Sequence, residues 1–210
     1  LNKISTSDKA TYAYLDGLAL GGGLELALAC DYRIGTRKSV LAFPETGIGI
    51  YPGLGGTQRA SRLIGVARAK HLIATGQFIN AKKAYSFGLV DAIIDPVLDW
   101  RELAEFSLDK AQSGRVEETV EELEFAAFDG DFSHPLLKRE GFEKMAKGIS
   151  RKAPIAMKVA MKLIDQGFVM DLQDGMQLEL DGLKSIFATQ DARTGLTSIL
   201  SGQKPTYIGK

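Results

Sequence analysis

Two kinds of pattern divide this chain at Pro96, and the division limits what it can fold into. Before that proline, short β-rich runs alternate with helical runs; after it, only helical periodicity remains. Thr11 to Leu15 reads as a strand, a turn begins at Asp16-Gly17, and a helix is predicted from about Gly22 to Cys30 with Leu24, Leu26, Leu28 and Ala29 largely buried. Asp31 to Thr36 and Ser39 to Phe43 follow as strands. Helices are expected from Gly55 through Leu63 and from Gly65 to Ala74. Asn80 is a good N-cap for a helix Ala81 to Phe87 that Gly88 stops, and Leu89 to Ile94 reads as a strand. Such alternation argues for an α/β core.

Beyond Pro96, Trp100 to Gln112 reads as a helix. Val116, Val120, Leu123 and Ala127 fall at helical spacing on another, with Glu117, Glu118, Glu121, Glu122 and Glu124 on its other face. A basic stretch follows (Lys138, Arg139, Lys144, Lys147, Arg151, Lys152), and the expectation is a solvated helical pair whose opposite charges meet weakly. Pro154 suits a helix start, and Leu172 to Phe187 presents Leu172, Met176, Leu180, Leu183 and Phe187 as an apolar stripe. Three regions result: a core over 1–95, a helical connection with a charged insertion over 96–152, and a C-terminal helical region over 153–210.

Composition removes several classes of function. Basic and acidic side chains balance at 26 each, which offers no support for nucleic acid or an anionic membrane as partner. No apolar run approaches the ~20 residues of a membrane span. Cys30 is the only cysteine, so no intramolecular disulfide forms; a reducing, cytoplasmic setting is expected, with Cys30 as a small buried hydrophobe. The chain opens at Leu1 with a strand almost at once, and the expectation is a fragment of a longer protein.

The chemistry resides in two glutamates beside glycine-rich turns. Glu25 follows Gly21-Gly22-Gly23 in a helix otherwise nearly all apolar, where a carboxylate is costly unless partnered or used. Glu45 lies in Phe43-Pro44-Glu45-Thr46-Gly47, just ahead of Pro52-Gly53-Leu54-Gly55-Gly56-Thr57-Gln58-Arg59. Glycines opening a helix expose N–H groups to developing negative charge, and two converging carboxylates can hold a water and exchange protons with a substrate carbon. Each piece also has a plainer reading. The glycine triplet serves tight strand–helix packing, Glu25 pairs with Arg33 or Arg59, and Glu45 caps a loop. His71 and His134 lack acid–base partners and read as structural or surface residues. Ser39 and Ser61 lack a nucleophile-elbow context, and no glycine run fits a dinucleotide or P-loop fingerprint.

The ordered series Gly17-Leu18-Ala19-Leu20-Gly21-Gly22-Gly23-Leu24-Glu25-Leu26-Ala27, Cys30-Asp31, Phe43-Pro44-Glu45, Pro52 to Arg59, Thr75-Gly76 and Ala84 to Val90 resembles the crotonase, or enoyl-CoA hydratase/isomerase, superfamily. The similarity returns in Phe187-Ala188-Thr189-Gln190-Asp191 and Lys204-Pro205. The resemblance implies an α/β fold with a ββα spiral core, incomplete here at its N-terminal side, and C-terminal helices that assemble trimers or hexamers. It implies an acyl-CoA substrate and no metal or redox cofactor. Carried onto this chain, Gly22 supplies an oxyanion-hole N–H, Glu25 and Glu45 match the acid–base carboxylates, and Gly53 helps to hold the catalytic water. Retention of both glutamates points to a hydratase that adds water across the 2,3 double bond of a 2-enoyl-CoA. A crotonase-fold isomerase, another acyl-CoA lyase or hydrolase, and a non-catalytic assembly domain stay open. The family's opening part lies outside this sequence, residues 114–150 exceed its usual connection, and Gly202-Gln203 stand where a basic pair precedes Lys204. Truncation is compatible with a fused 3-hydroxyacyl-CoA dehydrogenase.

Overall fold

Strand β1 (Tyr12–Leu15) and strand β2 (Leu18–Leu20) follow one another across Gly17 but belong to different sheets. Helix α2 (Gly22–Leu28) then returns the chain to β3 (Tyr32–Thr36), beside β1, and β4 (Val40–Ala42), beside β2. Both pairings are parallel, with Tyr12 opposite Tyr32 and Leu18 opposite Val40. Each strand–strand–helix unit therefore adds one strand to each of two sheets, which is a ββα spiral. Strand β5 (Ile79–Asn80) closes the second sheet antiparallel to β4, and β6 (Ala92–Ile94) closes the first parallel to β3. The computed structural model describes residues 1–96, 101, 103 and 116–210. The predicted helix Trp100 to Gln112 lies, but for residues 101 and 103, outside them.

A short helix α1 (Asn2–Ser5) precedes the spiral, and α3 (Gly56–Ile64), α4 (Val66–Thr75) and α5 (Ala81–Phe87) complete it. Local chemistry sets these ends. Asn80 accepts a hydrogen bond from Lys83 N at 2.9 Å, and Gly88 closes α5 in the left-handed conformation at φ 84. Leu24, Leu41, Phe43, Ile73 and Phe87 form the core beneath both sheets.

The C-terminal region is helical: α6 (Val120–Glu124), α7 (Glu143–Ile149), α8 (Pro154–Phe168), α9 (Leu172–Ala188) and α10 (Gln190–Ser201). Pro154 occupies the first turn of α8, whose Met157, Met161 and Ile164 are fully buried in the same core. Helix α9 packs on α8 and α3, while α10 packs on the 3-10 turn Glu45–Ile48. Gly195 on α10 has no room for a side chain, because a Cβ there would meet the Ile48 backbone.

Several expectations are corrected. The segment Leu18–Leu20, read as part of a glycine-rich turn, is a strand, and the expected C-terminal helical region includes a helix over Gln190–Ser201. Leu26 is 46% exposed on the outer side of α2, and Cys30 is only half-buried. In the charged stretch after residue 116 most charges are exposed and Arg139 meets Glu124, but the inward face is not the expected one: Val116, Val120 and Leu123 are exposed, whereas Glu122, Phe125 and Phe128 are buried. Two buried cations of α4 explain the inversion. Arg68 reaches Glu122 at 3.1 Å and the carbonyls of Val116 and Glu117, while Lys70 binds the carbonyls of Ala126 and Phe128 and the Asp165 carboxylate. Satisfying those charges outweighs burying two valines and a leucine.

Candidate active site

Glu25 enters the site from the first turn of α2. The helix opens on Gly21 at φ 51, a conformation that glycine adopts without steric cost. Its carboxylate turns toward the Pro52–Thr57 turn, where one oxygen, Oε1, accepts from Leu54 N at 2.7 Å and Gly56 N at 2.8 Å. A Cβ on Gly56 would stand 2.7 Å from that oxygen, so the glycine makes the approach possible. Leu54 and Gly56 N–H belong to the opening of α3, where backbone donors lack helical acceptors and favour negative charge.

Glu45 arrives from the opposite side, in the 3-10 turn that follows β4. Two C-terminal contacts hold this turn. Tyr207 donates its hydroxyl to Gly47 O at 2.6 Å, and Asp191 at the start of α10 gathers the tail by accepting from Ile208 N and Gly209 N. Glu45 Oε2 is buried and has no hydrogen-bond partner among the described residues. A Cβ on Gly21 would lie 2.5 Å from Glu45 Oε1, so the N-cap of α2 leaves the room that this carboxylate occupies.

Both carboxylates are almost wholly enclosed, at 2% exposure for Glu25 and 6% for Glu45. Burial raises both, but unequally. Two backbone donors and the nearby Arg59 charge counter the desolvation of Glu25. Glu45 is pushed up to about 8, first by desolvation and then by the negative charge of Glu25. Desolvation and the Glu25 charge thus favour the protonated form of Glu45, whereas two backbone donors and Arg59 favour the ionised form of Glu25, the kind of division that acid–base catalysis by two carboxyls uses.

Glu25, Glu45, Gly22 and Gly53 all line one cavity of about 420 Å³. Leu20, Ile48, Ile50, Leu183 and Phe187 supply apolar walls. Gly22 begins α2, where its N–H has no intrahelical acceptor, and a Cβ there would meet only the Leu54 side chain at 3.4 Å. A larger cleft of about 780 Å³ runs between α10 and the tail, lined by Arg193, Thr197 and Lys204 among others. It contains no carboxylate or imidazole, so chemistry rather than size selects the smaller cavity.

The plainer readings of the glutamates do not describe this arrangement. Arg33 pairs with Asp91 at 2.7 Å, and Arg59 reaches Leu54 O, Met176 Sδ and Ser5 Oγ. His71 packs edge-on against Phe125, and His134 Nδ1 accepts from Leu136 N, so both serve the fold. Among the described residues, no group of three or more His, Cys, Asp or Glu side chains could hold a metal. No helix there is long and apolar enough to cross a membrane.

Sequence reasoning missed Glu179. It is only 1% exposed on α9 and its carboxylate meets the same Pro52–Thr57 turn. The available signal was its spacing, three residues after Met176 and four before Leu183, which puts a glutamate on the face of the apolar stripe.

The family model for enoyl-CoA hydratase/isomerase matches residues 1–112. The chain belongs to this family. A short-chain-enoyl-CoA hydratase of Clostridioides difficile is 34% identical over 192 residues, covering 91% of this chain and 98% of that protein. A crotonyl-CoA hydratase of Syntrophomonas wolfei is 32% identical over 207 residues, covering 99% of this chain and 65% of its own length. Against a mitochondrial probable enoyl-CoA hydratase 2 of Arabidopsis thaliana, the chain spans 53% of that protein's length at 36% identity. The crystal structure of an enoyl-CoA hydratase from Rhodobacter sphaeroides superposes with a TM-score of 0.74 at 21% identity, covering all of this chain and 66% of that one; it shows the shared fold.

Proposed function

We propose that the protein to which this chain belongs is an enoyl-CoA hydratase, adding water across the 2,3 double bond of a 2-enoyl-CoA to give the 3-hydroxyacyl-CoA. The observation that carries the reading is the single cavity shared by Glu25, Glu45, Gly22 and Gly53. Its apolar walls suit the enoyl chain. In this reading Glu25, the more readily ionised carboxylate, takes a proton from water as the water oxygen bonds to the β-carbon. Glu45 gives its proton to the α-carbon, and proton exchange with solvent resets the pair. Between these events, negative charge on the thioester oxygen is stabilised by the Gly22 N–H, a contribution whose loss commonly costs on the order of 10²–10³ in rate. Gly53 holds the water from the facing turn.

The test is a spectrophotometric assay of the full-length protein that follows loss of the conjugated thioester in crotonyl-CoA and longer homologues. Hydration of any of them is the expected result. Migration of the double bond without hydration would move the assignment to an isomerase, and no reaction would reject it.

The reading extends to assembly. Leu180 and Phe187 on α9 remain exposed, which supports a trimer or hexamer built on the C-terminal helices, and light scattering that returned a monomer mass would end that idea. A cytoplasmic setting is proposed from the single cysteine. Neither the comparisons nor the described residues support a dehydrogenase partner.

A further inference from the structure

Four successive backbone N–H groups point alternately to two buried carboxylates. Leu54 N and Gly56 N donate to Glu25 Oε1, whereas Gly55 N donates to Glu179 Oε1 at 2.5 Å and Thr57 N to Glu179 Oε2 at 3.1 Å. The Thr57 hydroxyl adds a third donor to Glu179, also to Oε2. The turn is thus stretched between a carboxylate from α2 and one from α9. Glu179 is itself fixed, because its backbone carbonyl accepts the Tyr51 hydroxyl at 2.7 Å. Nothing in the acid–base scheme uses it, yet burying a carboxylate is expensive. An acceptor-only group is what three converging donors require, since an amide in its place would turn an NH₂ toward one of them.

We propose that Glu179 is a positioning residue: its carboxylate holds the Leu54–Thr57 turn so that the Leu54 and Gly56 N–H groups keep Glu25 oriented in the cavity. The rate consequence rests on the hydratase reading; the positioning does not. Several charged and titratable neighbours bear on it: Glu25 on α2, Glu45 on the 3-10 turn, Tyr51 and Arg59 before and within α3, and Lys3 across a cleft from α1. The negative charge of Glu179 also helps to raise Glu45.

The test compares Glu179→Gln and Thr57→Val with the full-length wild type. Its readouts are kcat and KM on crotonyl-CoA, the pH profile, and amide hydrogen exchange at Leu54 and Gly56 without substrate. For Glu179→Gln, kcat is expected to fall about 10-fold or more through misplacement of Glu25, with KM changed less than about 2-fold. The alkaline limb, where Glu45 loses its proton, should move to lower pH, because one negative neighbour is gone. The Leu54 and Gly56 amides should exchange faster, and Thr57→Val should show a smaller kcat loss and faster exchange. A folded Glu179→Gln protein with wild-type kcat and wild-type exchange overturns the inference. Should that variant fail to fold, Thr57→Val decides by the same two readouts. Should the wild type hydrate nothing, the hydratase reading fails, and amide exchange alone decides whether Glu179 positions the turn.

Discussion

Two regions of this molecule bury charge, and they do so in opposite ways. On α4, the two buried cations are each held by several partners: Arg68 with Glu122 and two carbonyls, Lys70 with Asp165 and two carbonyls. Around the start of α3, three carboxylates converge with no ion pair among them, one of Glu45's oxygens has no partner, and burial drives all three toward the neutral form. A fully partnered charge ties a segment to the core. An under-partnered one can change its protonation state, which is what proton transfer needs. Counting buried charges would not separate these regions; counting their partners does.

The sharpest way to break this contrast is to neutralise one charge in each region. Glu25→Gln and Glu45→Gln should each cut turnover by about 10²–10⁴-fold in the crotonyl-CoA assay, since an amide keeps the shape but not the proton. If either variant keeps near-normal turnover, that carboxylate belongs with the structural set. Glu122→Leu should do the reverse. It leaves Arg68 without its carboxylate and should cost about 2 kcal/mol in denaturant unfolding, with kcat of the folded fraction unchanged. A loss of kcat at full stability would erase the distinction.

The smallest effect sharpens the contrast by pH. Glu45 is raised from 4.5 to about 8, so the folded state binds its proton more tightly than the unfolded chain does. The stability this confers is complete below about pH 4.5 and is lost as pH rises through about 8. Glu45→Gln should therefore melt a few degrees above wild type at about pH 9, with the gap closing toward about pH 4.5. A gap that does not change with pH would mean that burial costs the carboxylate nothing.

How much was legible depended on how far apart the deciding residues lie. Helix α5 was readable to the residue because Asn80 and Gly88 cap it within the segment itself. Strand β2 was not, since three residues between glycines become a strand only when β4 lies alongside. The stripe Val116, Val120 and Leu123 has true helical spacing, but periodicity cannot say which face is inward when α4 presents two cations. Glu25 and Glu45 were readable as candidates from their glycine-rich settings. Glu179 was hidden, because its partners at Gly55 and Thr57 lie more than 120 positions away.

By itself, the sequence determined the alternation that makes an α/β core, the ends of α5, and the presence of two glutamates beside glycine-rich turns. Only the tertiary structure decided which donors and charges bias each glutamate, and that a third carboxylate shares the turn. Periodicity and capping act over a few residues of one chain segment. Protonation state and orphaned oxygens depend on solvent exclusion and on donors brought in by α3, α9 and α10, which exist only once those elements have packed.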